Sequence, residues 1–248
     1  MTEFYLPSHG KGRIHCVQWA PLTPVRMIVQ IVHGIAEHVE RYSDFAQFLN
    51  QRHALVVAED HMGHGGSLAP GDPPGYFYGG STAAVDDTFS LLQKTKKEHP
   101  QIPYVLLGHS MGSFVVRGYL MFWPGTVDGA ILSGTGQEPP ATVAAGRALS
   151  ALLIRLKGPR AHSALLDALS VGRYNGQFKP VRTSADWISR DTVVVDAYRA
   201  DPLCRFLPTV GMYHDMMVGL QLLAKPANLA RMDPDTPAYL SSPAFLIN

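Results

Sequence analysis

Ser110 stands at the centre of Gly108-His109-Ser110-Met111-Gly112, directly after the apolar run Tyr104–Leu107 and at the start of the helical pattern Met111–Phe122. A glycine-x-serine-x-glycine pattern alone is a weak signal, since at average glycine usage of about 7% a chain of this length shows about 0.1 by chance. Its setting makes it specific: strand, tight turn and helix is the arrangement in which small neighbours allow a strained turn that presents a serine hydroxyl. Such a serine suits acyl transfer, and that chemistry needs N–H donors for the oxyanion that forms on attack. Met111, at a helix N-terminus, offers one. His33-Gly34-Ile35 ends an earlier apolar run, and the Ile35 N–H is the second candidate. The plainer alternatives are a tight turn at Ser110 and a strand-ending turn at His33-Gly34.

These groups must be held by elements that the sequence also marks. Arg26–His33 and Ala54–Glu59 are nearly continuous apolar runs, the pattern of buried parallel strands. Between and after them, Arg41–Gln51 is amphipathic and Ser81–His99 reads as a long helix with Asp86 and Asp87 in its early turns. Tyr104–Leu107, Met111–Phe122 and Val127–Leu132 continue the alternation of strand, helix and strand, which predicts an α/β fold with a mostly parallel sheet. After Gly136 the pattern changes. Thr142–Lys157, Ala161–Val171 and Val210–Ala224 are helical, Arg173–Pro208 is rich in turn residues and aromatics, and a strand is next due at Pro237–Leu240. The expected division is 1–136 as the first part of the core, 137–225 as a helical cap insertion and 226–248 as the start of a returning, incomplete core.

A chain of 248 residues suits one large α/β domain with an insertion. With 46% hydrophobic and 17% charged residues and a net charge of +1, it lacks the field that draws nucleic acid. Cys16 and Cys204 lie far apart without metal-ligand spacing and are expected to be reduced. Met1–Gly12 has no apolar core of a secretory signal and no run is long enough to span a bilayer, so a cytoplasmic location is expected. His33, His38, His61 and His64 fall at short spacings near Asp60, but zinc wants three or four convergent ligands. The expectation is no metal and no cofactor, with His61 and His64 satisfying buried backbone groups. Gly10-x-Gly12 is dismissed as a phosphate loop because neither a preceding strand nor a following helix is expected there.

A family resemblance rests on several segments together. They are His33-Gly34-Ile35-Ala36-Glu37-His38 with Arg41-Tyr42, Asp60-His61-Met62-Gly63-His64-Gly65, Val85-Asp86-Asp87, Leu107-Gly108-His109-Ser110-Met111-Gly112, Asp186-Trp187-Ile188-Ser189-Arg190-Asp191 and Asp201-Pro202-Leu203-Cys204. In these the chain resembles the monoacylglycerol lipase and lysophospholipase group of α/β-hydrolases, also filed with the serine aminopeptidases. The resemblance implies the α/β-hydrolase fold and a serine hydrolase of carboxylic esters working through an acyl-enzyme on Ser110. Ile35 and Met111 would be the oxyanion donors, and His33, Gly34 and His109 would line the substrate. It implies a small lipid ester as partner, monoacylglycerol or lysophospholipid, and allows transient membrane contact through the cap; nucleic acid is not expected and the oligomeric state is open. Prolyl iminopeptidases carry His-Gly-Gly-Pro where this chain has His33-Gly34-Ile35-Ala36, and dehalogenases and epoxide hydrolases carry aspartate in place of Ser110. Met62 stands where the group usually has arginine, so loss of a surface ion pair is expected.

Serine needs a neighbouring base held by a carboxylate. The resembled group places its acid in a Gly-Asp-x-Asp-Pro segment after the strand that follows the cap, and its histidine after one more strand. Ser241-Ser242-Pro243-Ala244 stands at the first of these places and neither motif occurs. Two strands, two helices and their loops, roughly 50 residues at average lengths, are therefore expected to be missing. Stand-ins would be His162, His214 and Glu138. The alternative reading is a truncated or inactive homologue that at most binds a lipid-like ligand, with Ser241–Asn248 a frameshift tail. An uncovered strand edge and sheet face would then promote association.

Overall fold

A computed structural model describes residues 1–170 and 172–241. Its centre is a seven-stranded sheet in the order β1-β2-β4-β3-β5-β6-β7. The strands are β1 Thr2–Pro7, β2 Arg13–Trp19, β3 Met27–Val32, β4 Ala54–Glu59, β5 Tyr104–His109, β6 Gly129–Ser133 and β7 Ala238–Ser241. β1, β2 and β4 pair antiparallel, and every pairing from β4 through β3, β5 and β6 to β7 is parallel. The helices of the first half are α1 Ser43–Asn50, α2 Gly80–Glu98 and α3 Met111–Phe122.

Strand residues alternate between two apolar cores because successive side chains leave opposite faces of a sheet. Ile28, Val32, Leu55, Val57, Leu106 and Leu132 pack with α2 and α3. Val29, Ile31, Val56 and Ala58 pack with Ala46 of α1. Double coverage is why β3 and β4 read as unbroken apolar runs. It also buries Met62, 5% exposed in the larger core, so the expected surface ion pair has no place: position 62 is an interior site.

Three elements depart from the sequence reading. The β1–β2 hairpin was not expected. It turns at Ser8–Gly12, where the Ser8 N–H donates to the Gly12 carbonyl at 3.1 Å, so a strand does precede Gly10-x-Gly12 and another strand follows. Ala161–Val171 is not one helix: α5 covers Ala164–Leu169, α6 covers Gly172–Asn175, His162 bridges to Thr209, and Val171 lies outside the described residues. The turn-rich stretch 173–208 contains α7, Thr192–Ala200, whose β-branched start is offset by the Asp191 side chain accepting the Val193 N–H at 2.9 Å.

Only helices lie between β6 and β7 among the described residues: α4 Pro140–Lys157, then α5, α6 and α7, then α8 Val210–Leu223 and α9 Pro226–Leu229. α8 packs on α4, α2 and α3, with Met121, Val143, Leu220 and Leu223 forming the apolar joint. At the far edge, Leu107, Ile131 and Tyr239 are neighbours across β5, β6 and β7. The first two are half-buried, while Tyr239 and Leu240 are 68% and 62% exposed. The segment 242–248, with most of the expected frameshift tail, lies outside the described residues.

Candidate active site

Ser110 has φ 50° and ψ −117°, a conformation that costs an L-residue about 1–3 kcal/mol and persists only where its surroundings over-determine it. They do so here. The Ser110 N–H donates to the Ser133 carbonyl at 2.8 Å and the Ser113 N–H and Oγ both donate to the Ser110 carbonyl, at 2.9 and 2.6 Å. Gly112 is seated on the end of β3 so closely that a Cβ there would lie 2.0 Å from the Val32 carbonyl oxygen. The Ser110 side chain is half-buried, and its Oγ makes no hydrogen bond among the described residues.

Against this elbow lies the loop after β3. A Cβ on Gly34 would be 3.3 Å from the Ser110 Cβ, so the two backbones touch where glycine permits it. Of three consecutive loop amides, the first and third are occupied: the Gly34 N–H donates to Glu37 Oε1 at 2.5 Å and the Ala36 N–H to His64 Nε2 at 3.2 Å. Between them, the Ile35 N–H has no acceptor among the described residues. Met111, at the first turn of α3, has no intrahelical acceptor for its N–H. Ile35 and Met111 meet in one buried apolar cluster with Phe77 and Met212. The Ile35 and Met111 amides, neither with an acceptor among the described residues, thus sit on the loop and the helix start that adjoin Ser110, against a buried apolar cluster.

Three histidines support the loop rather than line it. His33, His61 and His64 are 0–1% exposed and their rings lie 4.4 to 6.3 Å apart. His33 Nε2 accepts the His61 N–H at 3.0 Å, so its Nδ1 carries the proton and donates to the Gly34 carbonyl at 2.7 Å. Burial pushes all three imidazoles down, His61 to about 4 and His64 to about 3, and His33 well below its usual value, so they stay neutral and can act as acceptors. His33, expected at the substrate, thus has both ring nitrogens engaged inside the protein. His109 is half-buried, with Nδ1 3.3 Å from Ser133 Oγ.

Asp60 is the hub below. Its Oδ1 accepts the Val39 N–H at 2.9 Å and its Oδ2 accepts from the Gly66 N–H and His15 Nδ1, each at 2.8 Å. His38 leaves the same loop on the other side and donates from Nε2 to Asp201 Oδ2 at 2.7 Å, tying the loop to the helical segment. His38, Asp201 and Cys204 bring ligand-type atoms within 4.8 Å of one another. Desolvation, chiefly, pushes the Cys204 thiol up to about 12, and the Cys204 N–H caps the Asp201 carbonyl, so the trio is internally satisfied as a clasp.

Among the described residues none of the expected stand-ins for a base and acid is hydrogen-bonded to Ser110. His162 bridges to Thr209, His214 Nδ1 is 3.0 Å from Ser150 Oγ on α4, and Glu138 is paired with Arg173. Glu37 escaped the sequence reading as a support, although a carboxylate three residues past a strand-ending glycine was its signal. His64 satisfies buried backbone groups as expected, but its partner Ala36, 28 residues away, was not identified.

A strained serine elbow on a mostly parallel sheet, with helices inserted before its last strand, defines the α/β-hydrolase fold. Comparison with solved structures agrees: a thermostable carboxyl esterase from Bacillus coagulans, in complex with glycerol, superposes with a TM-score of 0.86 at 27% identity, covering 96% of this chain and 78% of that one. A family model described as serine aminopeptidase, S33, matches residues 23–241. The chain belongs to that family. Among curated relatives, a monoacylglycerol lipase of Mycolicibacterium smegmatis is 32% identical over 82% of this chain, and the human monoglyceride lipase is 29% identical over 89%. The chain spans 65% of the length of each.

Proposed function

We propose that the protein is a serine hydrolase of carboxylic esters, of the monoacylglycerol type, with Ser110 as nucleophile and the Ile35 and Met111 N–H groups as oxyanion donors. The observation that carries this reading is the strained Ser110 touching a loop in which the Ile35 amide, between two occupied amides, has no acceptor among the described residues. In the reaction Ser110 Oγ attacks the acyl carbon as its proton passes to a general base, the carbonyl oxygen gains charge against the two amides, and the alcohol leaves; water then releases the acid. An open-mouthed apolar groove runs from Met111 along α3, walled by Val85, Val115, Met216 and Leu220. It suits a hydrocarbon chain, which supports a lipid ester over a peptide, as do the names of the two relatives.

Exposed Leu152, Leu156, Leu165 and Leu169 on α4 and α5 support transient contact of these helices with a lipid surface. Among the described residues no helix is long and apolar enough to cross a membrane. A second reading, binding of a lipid-like ligand without turnover, is favoured by one observation: no base is bonded to Ser110 Oγ among the described residues.

Labelling of the folded full-length gene product by a fluorophosphonate, abolished in Ser110→Ala, is the expected result. A folded product that does not label sinks the hydrolase reading. Turnover of a nitrophenyl ester by the 248-residue chain itself, dependent on Ser110, would sink the binding-only reading.

A further inference from the structure

We propose that His64 is a positioning residue for the acyl-transfer site: its Nε2 accepts the Ala36 N–H and thereby holds the neighbouring Ile35 N–H bare and aimed beside Ser110. This rests on the reading of Ile35 as an oxyanion donor and names what sets that donor.

Ala36 is left-handed, φ 55°, although it is not glycine, so its conformation must be imposed from outside. The imposing group is the buried ring of His64, 0% exposed and 3.2 Å from the Ala36 nitrogen. Its other nitrogen, Nδ1, lies 3.3 Å from the Met62 carbonyl. A carbonyl only accepts, so Nδ1 carries the proton and Nε2 is left as acceptor. Burial keeps the ring uncharged, which preserves that acceptor. Because the Gly34 amide is already committed to Glu37, loss of the Ala36 anchor would free the peptide units on either side of it, including the one that carries the Ile35 N–H.

The ring is in turn wedged by aromatics from two sources. Phe77 lies 5.8 Å away and Phe206 5.2 Å away at 71°. Phe206 belongs to the stretch between α7 and α8, so the seating of the helical segment bears on the oxyanion loop through His64.

The test uses full-length gene product labelled with nitrogen-15. His64→Phe keeps an aromatic volume against Phe77 and Phe206 but offers no acceptor, whereas the Oε1 of His64→Gln falls near the place of Nε2. Wild type should show a nitrogen–nitrogen coupling across the Ala36–His64 hydrogen bond and slow exchange of the Ala36 amide. In His64→Phe that exchange should quicken about tenfold and fluorophosphonate labelling of Ser110 should slow about 10²-fold, the usual scale for a misplaced catalytic group. His64→Gln should restore both to within about threefold, allowing for geometry the amide reproduces imperfectly. Absence of the coupling in wild type, or unchanged labelling and exchange in a folded His64→Phe, overturns the proposal. A wild type that shows the coupling but never labels overturns the hydrolase reading instead, and the exchange of the Ala36 amide in the two variants still decides for or against His64 as its anchor.

Discussion

At the carboxyl ends of β3, β4 and β5 the Gly34 amide and carbonyl, the Ala36 and Val39 amides and the Ser110 main chain all have partners, and His33, His61, His64 and Met111 are buried. Across the sheet at β6 and β7 the reverse holds: Leu107 and Ile131 stay half-buried and all four residues of β7 are exposed. One region is over-determined, the other barely held. The difference teaches that the elbow and the loop after β3 are fixed by contacts among residues 32–113, by Ser133 and by the helical segment, and that none of the contacts named above comes from β7.

The sharpest way to break this contrast is at Gly112. A Cβ 2.0 Å from a backbone oxygen cannot be relieved by a rotamer change, so Gly112→Ala should lose about 3 kcal/mol or more in denaturant unfolding. Gly136, where a Cβ meets nothing within 4 Å, should accept alanine with a change within about 0.5 kcal/mol. Equal effects at the two glycines would mean the elbow is not the rigid region it looks.

A second test asks whether complete burial of polar groups near the elbow carries a cost. Glu59 ends β4 fully buried, accepting from Thr88 Oγ at 2.6 Å and Gln30 Nε2 at 3.1 Å, and desolvation raises its carboxyl from 4.5 to about 8. Below 4.5 the group is protonated in both folded and unfolded chains. As pH rises toward 8 the unfolded chain ionises while the folded one resists, so this group's contribution to stability falls across that window, by on the order of 5 kcal/mol. In Glu59→Gln the fall between pH 5 and 8 should flatten in thermal unfolding, since no titration remains there. An unchanged slope would remove Glu59 from the account.

The weakly held region should answer mutation differently. Tyr239→Lys with Leu240→Glu should change unfolding free energy by less than about 0.5 kcal/mol, because both side chains are already in water. It should nevertheless lower self-association seen by light scattering, since charged residues blunt an open strand edge. A wild type that is monodisperse under the same conditions would show that the exposed edge is harmless.

Much of the well-held region was legible from sequence, for a physical reason. Parallel strands covered on both faces read as apolar runs, which is why Ala54–Glu59 was placed with the bounds the structure gives, and the helical pattern that opens at the elbow placed Met111–Phe122 as well. The β1–β2 hairpin was not, because β1 is an exposed edge and β2 carries His15 and Gln18 amid its apolar residues. α7 was hidden by Thr192-Val193-Val194-Val195, a β-branched run that a side-chain cap turns into a helix. In the site, Ser110 and its two proposed donors came from local pattern, and His64 was expected to satisfy buried backbone groups. The partners of Asp60, His64 and Phe206 lie far off in sequence, and no spacing rule identifies them.

The strain at Ser110 has an evolutionary side. Glycine at that position would remove the backbone penalty and leave the hydrogen bonds of the elbow in place, since these run through the main chain at 110. A lineage released from acyl transfer would therefore gain stability by drifting to glycine there. Retention of serine at position 110 in natural variants of this chain would mark continuing use of the hydroxyl, and glycine would mark its abandonment.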